Sequence, residues 1–229
     1  METAPRKKLI VFGIAKHAEM VAELARSLTE FEFVGFTANR RFITSDSIGD
    51  YPLHPFEELA ERCNPAEHAI HIALEYSRQS ADRARLMGEA AQLGYTIASL
   101  IHPSAIIAPS AAIGQHALIC EGVIIQSFAK IGENVAIHAG SLIGASVEIS
   151  DNVHIGTRAT IERHSRIAQH CTIGSGSIIA EGRTVAAQCT LQPRSVITAN
   201  VEVGTLTHPL MTRPGRIVDK SRSRVPAIL

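Results

Sequence analysis

The sequence of 229 residues predicts two parts, an α/β Rossmann-like domain followed by a parallel β-helix of hexapeptide repeats. The first part is predicted by strands that alternate with helices near the N-terminus. The second is predicted by an aliphatic residue that returns at every sixth position from Ile101 to Val203. Period six fits neither an α-helix nor a hairpin, but it is the signature of a β-helix. We expect domains at residues 1–100 and 101–206, followed by a C-terminal tail at 207–229.

The elements of the first domain follow from their patterns of apolar residues. In chain order they are strand 7–13, helix 17–28, strand 31–37, helix 55–62, strand 69–74, helix 77–94 and strand 95–101. The first helix has apolar residues at helical spacing, the second begins with Pro55, and the third can end at Gly94. This alternation predicts a parallel sheet, in which ligands bind beyond the carboxyl ends of the strands.

The turn between the first strand and the first helix, GIAKHA, is the candidate ligand site of this sheet. Amides at a helix N-terminus attract phosphate, and Lys16 and His17 add charge and hydrogen-bonding groups. Gly13, Lys16 and His17 are therefore our candidates for binding a nucleotide-linked substrate. Only Gly13 of a GxGxxG fingerprint is present, so the alternative is a sheet that merely supports the rest of the chain.

The repeat begins at Ile101 and gives eighteen aliphatic residues in succession. A small residue such as Ala117 or Ser141 follows four positions after most of them, and Arg183 is the misfit. Three repeats close a coil of eighteen residues, so residues eighteen apart should stack at about 4.8 Å. We predict six coils without an insertion, stabilised by ladders of β-branched side chains.

The four cysteines, Cys63, Cys120, Cys171 and Cys189, have no CxxC spacing, so they give little support to zinc or redox chemistry. Cys171 and Cys189 are eighteen residues apart, and both occupy the small position of the repeat. We expect them to be buried thiols that stack in neighbouring coils.

Composition argues against several classes of protein. Lys+Arg and Asp+Glu number 22 each, so no net charge attracts nucleic acid or an anionic membrane. The basic start is followed by only a short apolar run, which is no secretory signal, and no apolar stretch of eighteen residues exists. We expect a cytoplasmic protein that binds neither nucleic acid nor membranes.

An α/β half followed by such a repeat resembles the sialic-acid O-acetyltransferase and nucleotide-amino-sugar N-acetyltransferase family of hexapeptide acyltransferases. The resemblance runs from KLIVFG to about Arg216. It implies a left-handed β-helix, although connections between parallel strands are generally right-handed. It also implies a homotrimer with acetyl-coenzyme A (acetyl-CoA) between neighbouring β-helices, and a nucleotide-linked amino sugar whose nucleotide binds the N-terminal domain. No metal is expected.

The catalytic stretch departs from that family. The pattern I-N-x-G-x-x-x-E-H-D, then V-H-I-x-P-G, corresponds here to IHAGSLIGAS and VHIGTR. The family's general-base histidine falls on Ala145, and its acidic neighbours fall on Gly144 and Ser146. Glycines near the thioester carbonyl correspond to Arg158 and Arg163. The scaffold is retained and the usual base is not.

Two histidines are the remaining catalytic candidates. His154 matches a family histidine near the acyl group, and His138 replaces the asparagine beside the missing base. The alternatives are a surface histidine beside a corner for His154 and a structural role for His138. Gly156, Arg163 and Gly174 are candidates for contacting coenzyme A, the arginine because guanidinium groups suit phosphates. A single arginine on a solvated coil is also compatible with plain surface.

Loss of the base favours an amine acceptor over a hydroxyl, because a hydroxyl is far harder to deprotonate. General-base help is typically about 10²–10⁴-fold, and positioning and oxyanion stabilisation supply the rest. Together with this preference for an amine, the resemblance implies an acetyl-CoA-dependent sugar N-acetyltransferase of bacterial surface-glycan (O-antigen) biosynthesis. The alternatives are a catalytically silent homologue that binds a nucleotide sugar or partner enzyme, and an acyltransferase with another donor or acceptor. A zinc site of the carbonic anhydrase type, from His138, His154 and His164, is a further alternative.

Overall fold

The computed structural model describes residues 6–74, 79–207 and 215–216. The elements of its N-terminal domain are β1 (Lys7–Phe12), α1 (Lys16–Ser27), β2 (Phe31–Ala38), β3 (Ser47–Ile48), β4 (Tyr51–Pro55), α2 (Leu59–Arg62), β5 (His68–Ile72), α3 (Gln79–Gln92) and β6 (Thr96–Ile97), with 3₁₀ turns at Arg40–Phe42 and Phe56–Glu58. Within these described ranges, no helix is both long and apolar enough to span a membrane.

These strands form one sheet in the order β3-β4-β2-β1-β5-β6. All neighbouring strands are parallel except the pair β3–β4. The chain moves outward from β1 on one side through β2 and on the other through β5, so the strand order reverses at β1. The carboxyl ends of β1, β2 and β5 consequently meet where an open α/β sheet binds ligands.

Three parts of this domain differ from the sequence prediction. The strand predicted at 95–101 is divided into β6 and a second strand, Leu100–Ile101, which belongs to the β-helix. Strands β3 and β4 were not predicted, because Pro52 and Pro55 interrupt the strand pattern of β4. The predicted helix 55–62 is a 3₁₀ turn followed by the single turn of α2. The first two residues of the predicted helix 77–94 lie outside the described residues, and the rest is largely α3.

The second half of the chain is built from strands of two residues, one in every six. They are β7 (Leu100–Ile101), β8 (Ile106–Ile107), β9 (Ala112–Ile113), β10 (Leu118–Ile119), β11 (Ile124–Ile125), β12 (Lys130–Ile131), β13 (Ala136–Ile137), β14 (Leu142–Ile143), β15 (Glu148–Ile149), β16 (His154–Ile155), β17 (Thr160–Ile161), β18 (Arg166–Ile167), β19 (Thr172–Ile173), β20 (Ile178–Ile179), β21 (Thr184–Val185), β22 (Thr190–Leu191) and β23 (Val196–Ile197), followed by β24 (Thr205–Thr207) and β25 (Gly215–Arg216).

Each strand from β7 to β20 pairs in parallel with the strand eighteen residues further on, as Ile119 does with Ile137. The exceptions are β21 and β22, whose partners in the last coil lie sixteen residues further on. Three sheets result, which we call the first (beginning with β7), the second (with β8) and the third (with β9). Stacked parallel sheets with a six-residue repeat are consistent with a left-handed β-helix, so the predicted fold class is confirmed.

The core of the β-helix is the predicted aliphatic ladder. From Ile119 to Ile197 every ladder residue is buried, and burying one such side chain contributes about 1.5–3 kcal/mol. Cys171 and Cys189 are buried in the same core, as predicted, and their thiols donate to the carbonyls of Ala186 and Glu202.

The prediction of eighteen regular repeats is wrong at the last repeat. Val203 lies in a turn and is 60% exposed, and the final pairings join Val185 to Val201 and Thr190 to Leu206. Both pairings span sixteen residues instead of eighteen, so the last coil is two residues shorter. Of the predicted tail, the structure describes Thr207 and residues 215–216, the latter paired antiparallel with β24.

The corners of the coils share one backbone conformation. A residue with positive φ recurs at every sixth position: His116, Gly122, Phe128, Asn134, Gly140, Ser146, Asn152, Arg158, His164, His170, Gly176, Gly182, Gln188 and Arg194. Most are not glycine, although this region costs roughly 1–2 kcal/mol for other residues. Hydrogen bonds between coils offset that cost, as where the Asn134 amide donates to the Gln115 carbonyl at 2.9 Å.

Glycines allow neighbouring coils to approach closely at another position. A Cβ atom on Gly156 would lie 2.6 Å from the Ser175 nitrogen, and one on Gly174 would lie 2.3 Å from the Pro193 nitrogen. The amides of Gly156 and Gly174 donate to the carbonyls of Ile173 and Leu191 in the next coil. Both glycines are therefore required by the stacking of the coils.

We predict that Gly174→Ala lowers the free energy of unfolding by about 1–3 kcal/mol, because the added methyl group overlaps backbone atoms. The matched control is Gly182→Asn. Gly182 is also in the β-helix, a Cβ there meets nothing within 4 Å, and asparagine tolerates its positive φ. Urea unfolding compares the two, and equal midpoints would contradict the close-packing explanation.

Candidate functional site

The candidate site lies where the α/β domain ends on the first sheet of the β-helix. The outward-facing residues of this sheet begin with Leu100, Leu118 and Ala136, which are buried in one apolar cluster with the α/β domain. The next in the row is His154, which is only partly buried. His154 therefore lies where the α/β domain stops covering the first sheet.

His154 contacts His138, so the structure brings the two predicted catalytic candidates together. Their ring centroids are 4.7 Å apart at an interplanar angle of 66°. Strand β16 pairs with β13, which sets His154 beside Ala136, and His138 follows directly after β13. We call His138 and His154 the histidine pair.

Burial keeps both rings of the histidine pair neutral. Desolvation, with a smaller contribution from His17, lowers the pKa of His138 to about 4. Desolvation, followed by the neighbouring His138, lowers the pKa of His154 to about 2. At neutral pH each ring therefore has one N–H and one unprotonated nitrogen, and the unprotonated nitrogen can accept a proton.

A cavity of about 340 Å³, the junction cavity, opens beside the pair between α1 and the first three coils. Its lining includes His17, Cys120, Glu121 and His138. Burial raises the pKa of Cys120 to about 12, which argues against a thiolate nucleophile there. The junction cavity therefore offers neutral imidazole as its basic group, with a carboxylate nearby.

A second cavity of about 310 Å³, the N-terminal cavity, lies at the carboxyl ends of β1, β2 and β5. Gly13, Asn39, Arg41 and Phe42 are among the residues that line it. A Cβ atom on Gly13 would lie 2.8 Å from the Ala73 carbonyl oxygen, so glycine keeps the first turn close to β5.

The three predicted substrate-binding residues are spread over three surfaces. Gly13 lines the N-terminal cavity and His17 lines the junction cavity. The Lys16 ammonium pairs with Glu19 at 2.5 Å and lines a separate surface groove with it. The three residues are close in sequence at the start of α1, but they face different neighbours.

Sequence reasoning missed a buried polar network between the two cavities. Asn134 Oδ1 accepts hydrogen bonds from His116 Nδ1 at 3.0 Å and from Arg83 Nε at 2.9 Å. Its Nδ2 donates to Asn152 Oδ1 at 2.7 Å, and His116 Nε2 accepts the amide of Ile72 at 3.0 Å. We call this set the Asn134 network. A signal was available, because residues 116, 134 and 152 are polar and recur at intervals of eighteen.

His71 packs against this network. Its ring stacks on that of His116 with centroids 4.3 Å apart, and its Nδ1 lies 2.9 Å from the Ala98 carbonyl oxygen. Burial lowers the pKa of His71 to about 4 and that of His116 well below its usual range. Neutral His116 is required here, because a protonated ring could not accept the Ile72 amide.

Ala145 is the residue that the sequence comparison predicts at the position of the family's base. Its amide donates to Gln126 Oε1 at 3.0 Å. Arg163, the residue eighteen further on, is exposed and pairs with Glu181 at 2.9 Å. Among the candidates for coenzyme A, Arg163 is thus paired with a carboxylate, and the amides of Gly156 and Gly174 are used between coils.

No group of three or more His, Cys, Asp or Glu side chains in residues 6–74, 79–207 and 215–216 is arranged to bind a metal ion. His164 is exposed at a corner of the β-helix with φ of 60°. The structure therefore gives no support to a zinc site that combines it with the histidine pair.

The fold and the site define a hexapeptide-repeat β-helix joined to an α/β domain, with a histidine pair at their junction. The bacterial transferase hexapeptide family (six repeats) matches residues 128–163. No curated protein sequence matches the chain.

Several solved structures share the whole architecture. The acetyltransferase domain of PglB from Neisseria gonorrhoeae FA1090 is 25% identical, with a TM-score of 0.77 over 89% of this chain and 98% of that one. Perosamine N-acetyltransferase from Caulobacter crescentus is 20% identical, with a TM-score of 0.78 over 87% and 92%. WeeI from Acinetobacter baumannii AYE is 20% identical, with a TM-score of 0.59 over 88% and 97%. The resemblance predicted from the sequence is confirmed.

The buried histidines predict a stability that falls in acid. The pKa of an unfolded histidine is about 6.5, so below that pH the unfolded chain binds more protons than the folded one. The stability contributed by neutral His71 and His116 is complete above pH 6.5. As the pH falls toward their folded pKa values it is lost by up to about 1.4 kcal/mol per pH unit for each ring.

Urea unfolding between pH 7.5 and 5 measures this slope. His71→Gln should reduce the dependence of the free energy of unfolding on pH by the contribution of one histidine. His170→Asn, at an exposed corner with φ of 60°, should leave it unchanged. A slope that is the same in His71→Gln and in the wild type would show that His71 does not contribute.

Proposed function

We propose that this protein is an acyltransferase that moves the acetyl group of acetyl-CoA to the amine of a nucleotide-linked amino sugar in bacterial surface-glycan (O-antigen) biosynthesis. The hexapeptide family match supports it, as does the likeness to an acetyltransferase domain in complex with acetyl coenzyme A and to an N-acetyltransferase in complex with CoA and GDP-perosamine. The observation that carries the proposal is the neutral histidine pair at the junction of the two domains. A cytoplasmic location is part of the proposal.

In the proposed reaction, the unprotonated amine attacks the thioester carbonyl of acetyl-CoA. A C–N bond forms, the C–S bond breaks, the amine loses one proton, and the departing thiolate of coenzyme A takes up a proton. His138 lines the junction cavity and is neutral, so it accepts the proton, while His154 packs against its ring. A base with a pKa of about 4 is weak and suits an amine better than a hydroxyl.

The proposed path of the acetyl-CoA arm follows the column of residues below His138. Residues eighteen apart stack, and the next two in this column are Gly156 and Gly174. A Cβ atom on either glycine would overlap backbone of the next coil, so this column has no side chain beyond His138 at these two positions. We propose that the extended acyl arm runs along the backbone of this column, with Arg163 on the surface as a candidate for a phosphate contact.

The nucleotide of the acceptor is proposed to bind the N-terminal cavity. Gly13 keeps the first turn close to β5 there, and Arg41 supplies a positive charge to a cavity large enough for part of a nucleotide. The sugar then extends past α1 toward His17 and His138 in the junction cavity.

A homotrimer is proposed because one face of the β-helix is apolar and exposed. The outward row of the second sheet is Ile106, Ile124, Leu142, Thr160, Ile178 and Val196, of which Ile106 is 66% and Val196 63% exposed. The corresponding row of the third sheet contains Lys130, Glu148 and Arg166, in which Glu148 pairs with both of its basic neighbours. Further copies of the chain would cover the second sheet, and the groove between two β-helices would hold acetyl-CoA.

The second candidate function is a catalytically silent homologue that binds a nucleotide sugar or a partner enzyme. Ala145 favours it, because the usual base is absent. The Arg163–Glu181 pair in the two coils that follow also favours it, because Arg163, a candidate for contacting coenzyme A, is already paired with a carboxylate. A protein of this kind would bind nucleotide without binding acetyl-CoA. An acyltransferase with a different donor or acceptor would bind a thioester but not turn over the standard acceptors.

The first test is thiol release from acetyl-CoA with a panel of UDP-, dTDP- and GDP-linked amino sugars. We expect turnover with one of them. His138→Ala should lower kcat/KM by about 10²–10⁴-fold, the usual contribution of a general base. His154→Ala should have a smaller effect, because it acts through the ring of His138.

The matched control is His164→Asn, at an exposed corner whose positive φ asparagine tolerates. It should leave turnover unchanged. Turnover that survives His138→Ala would assign the reaction to positioning alone. Absence of both turnover and acetyl-CoA binding by calorimetry would reject the enzyme and leave the silent homologue.

The trimer is tested by the mass of the protein in solution. We expect three times the 24.6 kDa of one chain by light scattering. The double variant Ile124→Glu/Ile178→Glu should dissociate it, because a subunit contact on the second sheet would bury two unpaired carboxylates, which is costly. Lys130→Gln on the third sheet is the control and should remain trimeric. A wild-type monomer would contradict the proposed interface.

A further inference from the structure

We propose that Asn134 is a positioning residue that fixes the N-terminal cavity relative to the histidine pair, so that a nucleotide bound in the cavity presents its sugar to His138. The inference rests on the proposed function for its substrate. It goes beyond that function in assigning a role to a buried network whose side chains, Arg83, His116, Asn134 and Asn152, line neither the N-terminal cavity nor the junction cavity.

The hydrogen bonds of Asn134 have one consistent direction. The Ile72 amide donates to His116 Nε2, so the proton of the neutral ring is on Nδ1. His116 Nδ1 therefore donates to Asn134, which sets the amide with Oδ1 toward His116 and Arg83 and Nδ2 toward Asn152. Asn134 is only 3% exposed, so water does not substitute for these partners. A satisfied buried network of this kind is rigid.

On the side of the α/β domain, the network holds the wall of the N-terminal cavity. Ile72 is the last residue of β5. The Arg83 guanidinium also donates to the Leu74 carbonyl at 3.1 Å. Leu74 lines the N-terminal cavity, as do Asp82 and Leu86 on either side of Arg83. The end of β5 and the helix α3 are thus both attached to Asn134.

On the side of the β-helix, the network reaches the coils that carry the histidine pair. Asn134 precedes His138 by four residues, and Asn152 precedes His154 by two. Both asparagines stand at corners with positive φ, which their residue type tolerates. The same amide group thus joins the wall of one cavity to the coils that hold the reacting side chains of the other.

Such a link matters because transfer needs the amine within reach of both the thioester and the base. A displacement of about 1 Å at a reacting centre can cost roughly 10²-fold in rate, even when each ligand still binds. Loss of the network should therefore affect transfer and leave the binding of each separate ligand nearly unchanged.

The test uses Asn134→Gly in the full chain, which keeps the corner conformation and removes the side chain. We expect kcat with the nucleotide sugar to fall about 10²-fold. The KM for acetyl-CoA and the Kd for the free nucleotide (UDP, dTDP or GDP, matching the acceptor) should change less than about 3-fold. Gln188→Gly is the matched control, because Gln188 is exposed at the same corner of a later coil with φ of 61°.

A second pair of variants separates positioning from loss of folding. His116→Gln keeps one acceptor for the Ile72 amide and one donor for Asn134, and glutamine already occupies an equivalent corner at Gln188. It should retain kcat, whereas His116→Gly should lose as much as Asn134→Gly. The double variant Asn134→Gly/His116→Gly should be no worse than either single variant.

The inference is overturned if Asn134→Gly keeps the wild-type kcat, if it loses nucleotide affinity in the same proportion, or if His116→Gln is as poor as His116→Gly. Failure of the proposed function has a different signature, namely a wild-type protein that turns over no acceptor. In that case the imidazole ¹⁵N resonances of His138 and His154 are compared in the free wild type, Asn134→Gly and Gln188→Gly. The link predicts that both resonances shift or broaden in Asn134→Gly and stay unchanged in Gln188→Gly, and identical resonances in all three proteins would overturn it.

Discussion

The hydrogen bonds between successive coils are the constraint on which the rest of the structure depends. Because each coil closes after eighteen residues, an amide in one coil meets a carbonyl in the next, and side chains stack in columns. The residues that the β-helix contributes to the site lie in these columns and in the rows of its sheets. The glycines at 156 and 174, the polar corners at 116, 134 and 152, and the outward row that contains His154 all follow from it.

The chemistry of the site follows from where the α/β domain stops covering the first sheet. Inside the junction, the outward row is apolar and the histidines His71 and His116 are held neutral by burial. At its edge, the row changes to His154, beside His138 and an open cavity. One boundary thus separates histidines that stabilise the junction from histidines that are available to a ligand, although all four have lowered pKa values.

Much of the fold could be predicted from the sequence. The ladder from Ile101 to Ile197 has a fixed spacing along the chain, and the patterns of strands and helices depend on residues that are close in sequence. Strand β4 could not, since its prolines contradict a strand and its pairing with β2 is decided by tertiary contacts. The candidate site was found in part. His138 and His154 were identified, but the bond from Ile72 to His116 joins residues 44 apart, and no periodicity reports such a contact.

The shortened last coil has a consequence for how the solenoid ends. A regular coil would present a fresh set of unpaired strand edges onto which a coil of another molecule could add, the route by which open sheets grow into fibres. Here the shortened coil ends in β24, and β25 runs antiparallel along β24, so the outer edge of the last parallel strand of the first sheet is covered. A coil of another molecule therefore cannot extend the first sheet by pairing with β24.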